Sequence, residues 1–222
     1  MRSSLPKNFR DLSLWILLLL FTLTPCVKGK PSALSAEAAM QAASDALNQK
    51  NYEEGLKILA PVLQANPADP ELLNLQGAIF TKQDKFAQAR VCFDKALQSS
   101  PGFFAARYNL GALLALEHKW KEAIDYYRTL LLEQPNNELV EYKLLLLLLH
   151  QDADPELQAK LFATDLPTNT PAWYFATAAR RFKSGDSIDA EKYLTVARNI
   201  YGDQTAIYQE ELVESGLQSS KK

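Results

Sequence analysis

The chain is predicted to be all-α, a stack of about five helical hairpins closed by one C-terminal helix. Three observations predict this. First, five kinds of position recur at a spacing of 34 residues: Gly77 and Gly111; Ala89 and Ala123; Phe93 and Tyr127; Pro67, Pro101 and Pro135; Tyr52, Phe86 and Trp120. Second, the apolar residues between these markers recur three and four apart, the period of a helix with one buried face. Third, each repeat contains two such patterns joined by a short polar break, and a proline stands just past the second, where the chain must leave the helix.

Two units define the register, residues 70–103 and 104–137. In the first, Leu72, Leu73, Leu75, Ile79 and Phe80 form one pattern, Gln83-Asp84-Lys85 the break, and Phe86, Ala89, Phe93, Ala96 and Leu97 the second pattern, before Pro101. In the second unit, Tyr108, Leu110, Gly111, Leu113 and Leu114 lead to a break at His118-Lys119. Trp120, Ala123, Ile124, Tyr127, Leu130 and Leu131 follow, and Pro135 ends the unit. Small residues at Gly77, Gly111, Ala89 and Ala123 allow the two helices of one hairpin to approach closely, and Phe93 and Tyr127 fill the gap between neighbouring hairpins.

The flanking units are less regular. Residues 36–69 form a first unit through Tyr52, Gly55, Leu59, Leu63 and Pro67, with an alanine-rich first helix. Pro61 falls inside its second helix, where proline costs about 3 kcal/mol, so a bend or short break is expected near Ile58-Leu59. Residues 138–170 form a degenerate fourth unit. Its first helix carries six leucines from Leu144 to Leu149, apolar all round, which demands cover on most sides; its second runs from Pro155 to Phe162 and precedes a loop at Thr164-Asp165-Leu166-Pro167. Residues 171–202 form a fifth unit with a turn at Ser184-Gly185-Asp186 and Ala178 in place of the first-helix glycine. Residues 204–217 read as a capping helix, with Ile207, Tyr208, Leu212 and Val213 inward and Glu210, Glu211 and Glu214 as the polar outer face that ends a stack. Residues 218–222 read as a disordered tail.

Gly77, Phe86, Ala89, Ala96 and Pro101, then Gly111, Trp120, Ala123 and Pro135, resemble the motif of the tetratricopeptide repeat. That resemblance implies a right-handed superhelix, an α-solenoid, whose concave face is lined mainly by first helices and takes an extended peptide or a partner helix. The groove-facing positions it implies are Asn74, Ala78 and Thr81 in the second unit, Tyr108 and Ala112 in the third and Tyr142 in the fourth. Tyrosine there offers apolar area with one hydrogen-bonding tip; the same tyrosines would also suit packing between adjacent first helices, and both readings stand. Repeat proteins that clamp the acidic tails of cytosolic chaperones resemble one another in groove Lys, Asn and Arg residues. The matching positions here are Met40, Ser44, Leu75, Ala105 and Asn109, and Leu75 and Ala105 cannot hold a carboxylate.

The N-terminus carries a separate signal. Arg2, Lys7 and Arg10 precede an apolar run from Leu12 to Leu23, closed by Thr24-Pro25. A basic segment before a run shorter than the roughly 20 residues of a spanning helix reads as an export signal. Residues 1–29 are thus a signal peptide cleaved after Gly29 or an uncleaved anchor, with membrane attachment through residues 12–27. Lipidation at Cys26 is a third reading, against which Pro25 stands. If the host is bacterial, each places the body of the protein outside the cytoplasm, periplasmic, secreted or held by the anchor.

Function classes narrow by composition and motif. The 222 residues are 47% hydrophobic and 23% charged with formal net charge −2, without the basic excess of a nucleic-acid binder. Cys26 and Cys92 are the only cysteines, so loss of the leader leaves Cys92 alone. His118 and His150 each have a carboxylate four residues on (Glu122, Asp154) but no third ligand near in sequence. No nucleophile elbow or phosphate loop is present. The reading is a scaffold with no catalytic, metal or cofactor site that binds a protein partner. Self-association through the leucine run, or service as an accessory subunit of an envelope enzyme complex, are the alternatives.

Overall fold

Each hairpin among the described residues turns through a residue held in a left-handed conformation, and the first four of these turns keep the 34-residue period. Lys50, Asp84, His118 and Asp152 have φ of 60°, 57°, 60° and 49°, and Gly185 has 85°. At each turn the next residue's N–H reaches back to a carbonyl five residues earlier, as Lys85 does to Phe80 and Lys119 to Leu114, both at 2.9 Å. These bonds satisfy carbonyls that a helix end leaves open. Only the last turn uses glycine.

The computed structural model describes residues 35–163 and 170–218. The leader and anchor readings, the loop after residue 163 and the tail beyond Gln218 lie outside the described residues. Among the described residues there are eleven α-helices and no strand. They are α1 (Ala36–Asn48), α2 (Tyr52–Ala65), α3 (Pro70–Lys82), α4 (Phe86–Ser99), α5 (Phe104–Leu116), α6 (Trp120–Glu133), α7 (Glu138–His150), α8 (Pro155–Ala163), α9 (Pro171–Lys183), α10 (Ser187–Tyr201) and, after a 3-10 turn at Gly202–Thr205, α11 (Ala206–Glu214). None of the described helices is long and apolar enough to cross a membrane. Successive helices pair as antiparallel hairpins. The first helices α1, α3 and α5 pack side by side, as α7 and α9 do, giving the α-solenoid that the repeat predicts.

Close approach inside each hairpin has a visible cause. A methyl added to Gly77 on α3 would sit 2.5 Å from the Phe93 ring of α4, and one added to Gly111 on α5 would sit 2.8 Å from the Tyr127 ring of α6. Each ring therefore fills a notch in its own hairpin. Phe93 also shares an apolar cluster with Ala106, Leu110 and Leu113 of the next hairpin, so its reach across the gap holds too. Ala89, Ala96 and Ala123 are fully buried at the same contacts.

Three expectations are corrected. Helix α2 runs unbroken through Pro61. Both Pro61 and Lys57, whose carbonyl the proline cannot bond, are exposed, so water can take that carbonyl. The six leucines Leu144 to Leu149 are all buried by the chain itself, against α6, α8, α9 and α11, which removes the motive for pairing with a second copy through them. The third correction concerns α11. Its polar face is only partly outward: Glu210 and Glu214 are exposed as expected, but Glu211 is buried, and the apolar Ile207 and Val213 are 43% and 57% exposed.

The notch predicts a stability effect. Gly77→Ala should lower stability by about 1–3 kcal/mol in urea unfolding, because overpacking against Phe93 outweighs alanine's better helix propensity. Gly102→Ala, with nothing within 4 Å of the added methyl, should stay near wild type.

Candidate functional site: the concave face and the helix lying in it

The concave side is built from first-helix residues, and α11 returns to lie along it. Gly202, with φ of +53°, ends α10 in a region open to glycine and lets the chain turn into the 3-10 segment. From there α11 seats Leu212, which is fully buried, in the core cluster of α7 and α9. The Tyr208 ring packs 5.5 Å from Tyr142 of α7 and 5.9 Å from Phe175 of α9.

Polar contacts then fix its register. Tyr108 of α5 donates its hydroxyl to Glu211 Oε1 at 2.7 Å, and Lys143 of α7 donates to Glu211 Oε2. Lys82, at the end of α3, donates to Glu210 Oε1 and, at 2.7 Å, to Glu214 Oε1. Tyr142 donates to the Tyr208 carbonyl at 3.2 Å. His150 Nδ1 lies 3.0 Å from the Ser215 carbonyl, and its ring packs 4.5 Å from Trp120. Three carboxylates of one short helix thus meet two ammonium groups and a phenol drawn from three first helices.

The electrostatics follow from this crowding. Burial holds the Tyr108 hydroxyl well above the ordinary tyrosine pKa, and the Glu211 carboxylate adds to it; Tyr142 is raised by the same two causes in the same order. Tyr127, fully buried, is raised chiefly by burial, and it donates to the Tyr108 carbonyl at 2.8 Å. Burial works against the Lys82 ammonium, but the hydrogen bonds and negative charge of Glu210 and Glu214 outweigh it and lift its pKa. Lys143 keeps only 6% of its side chain exposed and faces Glu211, itself 8% exposed.

Beside α11 the face stays open as a cavity of about 320 Å³. Ala78, Thr81, Tyr108 and Ala112, four of the six groove positions, line it together with Ala105, Asn109 and Leu116. Asn74 does not line it, but its Oδ1 accepts a 2.9 Å bond from Asn109, which does. Tyr142 is buried beneath Tyr208. The hydroxyls of Tyr108 and Tyr142 are therefore not free tips for a foreign peptide: α11 takes both. Thr81 spends its hydroxyl on the Gly77 carbonyl of its own helix.

Sequence reading missed Lys82, Lys143 and the three glutamates as one constellation. The available signal was charge: two lysines on the groove side of first helices, and an excess of acid on the last helix. The remaining chemical candidates separate. Cys92 is buried, contacts Gln76 Oε1 at 3.3 Å, and burial pushes its thiol pKa up. His118 is exposed in its turn, and the described residues contain no group of three or more metal-ligating side chains.

Two outcomes follow. Glu211→Ala leaves the buried Lys143 ammonium with only the longer, 4.0 Å contact to Glu214 and should cost up to about 3–5 kcal/mol, whereas Glu211→Leu combined with Lys143→Met should recover most of that in a double-mutant cycle by chemical unfolding. For pH, the buried tyrosines are raised in the folded state, so above about pH 10 the unfolded chain binds fewer protons and stability falls as pH rises. The phenolates of Tyr108, Tyr127 and Tyr142 should appear in one cooperative step with loss of helical circular dichroism.

Comparison with known proteins places this arrangement. Models of the tetratricopeptide repeat match residues 40–90 and 80–146. The chain is similar to the uncharacterized protein ycf37 of Cyanophora paradoxa, at 31% identity over 106 residues, 46% of this chain and 62% of that protein; it thus spans less than two thirds of that relative's length. Among solved structures, PilF of Pseudomonas aeruginosa superposes with a TM-score of 0.57 at 19% identity, covering 82% of this chain and 89% of that one. An O-GlcNAc transferase of Thermobaculum terrenum superposes at 0.51 and 22% identity, over 66% of this chain and 26% of the transferase. Likeness at these identities is one of fold. The repeat matches cover residues 40–146, a little under half of the chain, and the hairpins around them continue the same stack, so the chain carries tetratricopeptide repeats over residues 40–146.

Proposed function

We propose that this protein is a non-enzymatic scaffold for protein–protein interaction, exported or membrane-anchored, and that it takes a peptide or helix of its partner on the concave face beside α11. The observation that carries this reading is the 320 Å³ cavity, whose wall sets small side chains (Ala78, Ala105, Ala112) among large apolar ones such as Phe104 and Leu116, with Thr81 and Asn109 as polar points. Such a surface admits a backbone closely at the alanines and buries apolar side chains against the larger residues. The charged groups of the face support a non-catalytic role: Lys82, Lys143, Glu210, Glu211 and Glu214 are spent on one another. Export is supported by Arg2, Lys7 and Arg10 ahead of Leu12–Leu23. Membrane attachment, where the leader is kept, would run through residues 12–27. Service as an accessory subunit of an envelope enzyme complex is one form that scaffolding could take.

Photo-crosslinking in the native cell tests the site. A photoreactive residue at Ala78 or Ala112 should capture a protein partner, whereas one at Leu132, 82% exposed on α6, should not. Equal capture at all three, or capture at Leu132 alone, contradicts the reading. Sequencing of the mature N-terminus should begin after Gly29 or show the intact leader in a membrane fraction; an intact leader on a soluble cytosolic chain ends the export proposal.

A further inference from the structure

We infer that α11 is a displaceable occupant of the concave face, and that the partner which replaces it is an acidic amphipathic helix presenting an aromatic residue and carboxylates in the spacing of Tyr208, Glu210, Glu211 and Glu214. This rests on the concave face being the binding surface. The groups that receive the three carboxylates of α11 and its Tyr208 carbonyl belong to the solenoid: Lys82 on α3, Tyr108 on α5, Tyr142 and Lys143 on α7. A foreign helix of the same pattern would meet the same receptors. The receptors also select for acid. A neutral or basic occupant would leave Lys143, now almost wholly enclosed, without a counter-charge, which is the costly outcome for a buried ion.

α11 is built as a weak occupant. It has nine residues, too few to hold a helix by itself, so its helicity depends on the dock. A single 3-10 segment opened by Gly202 joins it to α10. It fills only part of the face: the 320 Å³ cavity runs along its flank, with Ile207, Glu210 and Glu211 as one wall. A longer or bulkier helix would satisfy the same lysines and fill that cavity as well. The free chain thus screens its own lysines, and a partner gains access in proportion to the fraction of molecules with α11 released.

The test uses the full chain and a labelled peptide of residues 202–218. In the variant carrying Tyr208→Ala, Glu210→Lys and Glu214→Lys, α11 is repelled from Lys82 and Lys143 while the face is untouched. The peptide should bind this variant at least about tenfold more tightly than it binds wild type, where α11 competes. A peptide with lysine at 210, 211 and 214 should lose that binding. Equal affinity for both chains, no binding to the variant, or equal binding of the reversed peptide overturns the inference. Capture of a partner at Ala78 and Ala112 with no peptide binding to the variant would leave the scaffold reading standing and sink this one. Should the variant not fold, hydrogen exchange on the wild-type chain decides: amides of α11 should exchange at least about tenfold faster than those of α7. Matching rates mean that α11 opens only with the whole fold, and contradict displacement.

Discussion

An aromatic ring seated where a glycine leaves room sets the spacing of the helices at the centre of this chain. Phe93 on Gly77 and Tyr127 on Gly111 bring the two helices of a hairpin closer than any side chain between them would allow. The contact is steric, so it tolerates little: one methyl at Gly77 overlaps a buried ring whose other side is already packed by the next hairpin. Tyr127 extends the constraint beyond packing. Its hydroxyl bonds the Tyr108 carbonyl, and Tyr108 in turn donates its own hydroxyl to Glu211. A repeat-defining residue is thus two bonds from the contact that seats α11, and core geometry passes into the geometry of the concave face.

The helix in that face is held by two kinds of interaction with different work. Leu212 and the Tyr208 ring supply the apolar burial, which is non-directional. The ion pairs to Lys82 and Lys143 add little net stability once desolvation is counted, but they discriminate. A shift of α11 by one residue would move Glu211 off Lys143 and Tyr108, the two contacts that its buried carboxylate makes. The lysines therefore decide which helix lies here and in what register. The ion pair of Lys57 with Glu54, three residues apart on the surface of α2, is more exposed and contributes little of either.

Most of the fold could be read from the sequence because it rests on local rules repeated at one period. The two helices of each unit, the breaks at Asp84 and His118, the short α8 and the closing helix all stand where the apolar spacing and the prolines put them. What could not be read depends on contacts remote in sequence. Lys82 and Glu210 are 128 residues apart, and no periodicity connects them. The acidic face of α11 looked like a solvent face because three glutamates on one side of a helix usually are one. The left-handed residue in each turn was hidden for another reason. Lys50, Asp84, His118 and Asp152 accept a conformation that normally asks for glycine, held there by the carbonyl bonds of the turn. Ala78, Thr81 and Ala112 reach the open part of the face because they follow the repeat; Tyr108 and Tyr142 are buried, because the occupant of their hydroxyls is part of the chain.

The account stands on α11 lying against the inner face of its own solenoid. Nuclear Overhauser spectroscopy on the full chain reads this directly. Cross-peaks between the ring protons of Tyr208 and those of Tyr142 and Phe175, with the Leu212 methyls shifted by the buried rings around them, are the predicted result. A Tyr208 ring with the shifts of an unstructured peptide and no cross-peak to Tyr142 would contradict it.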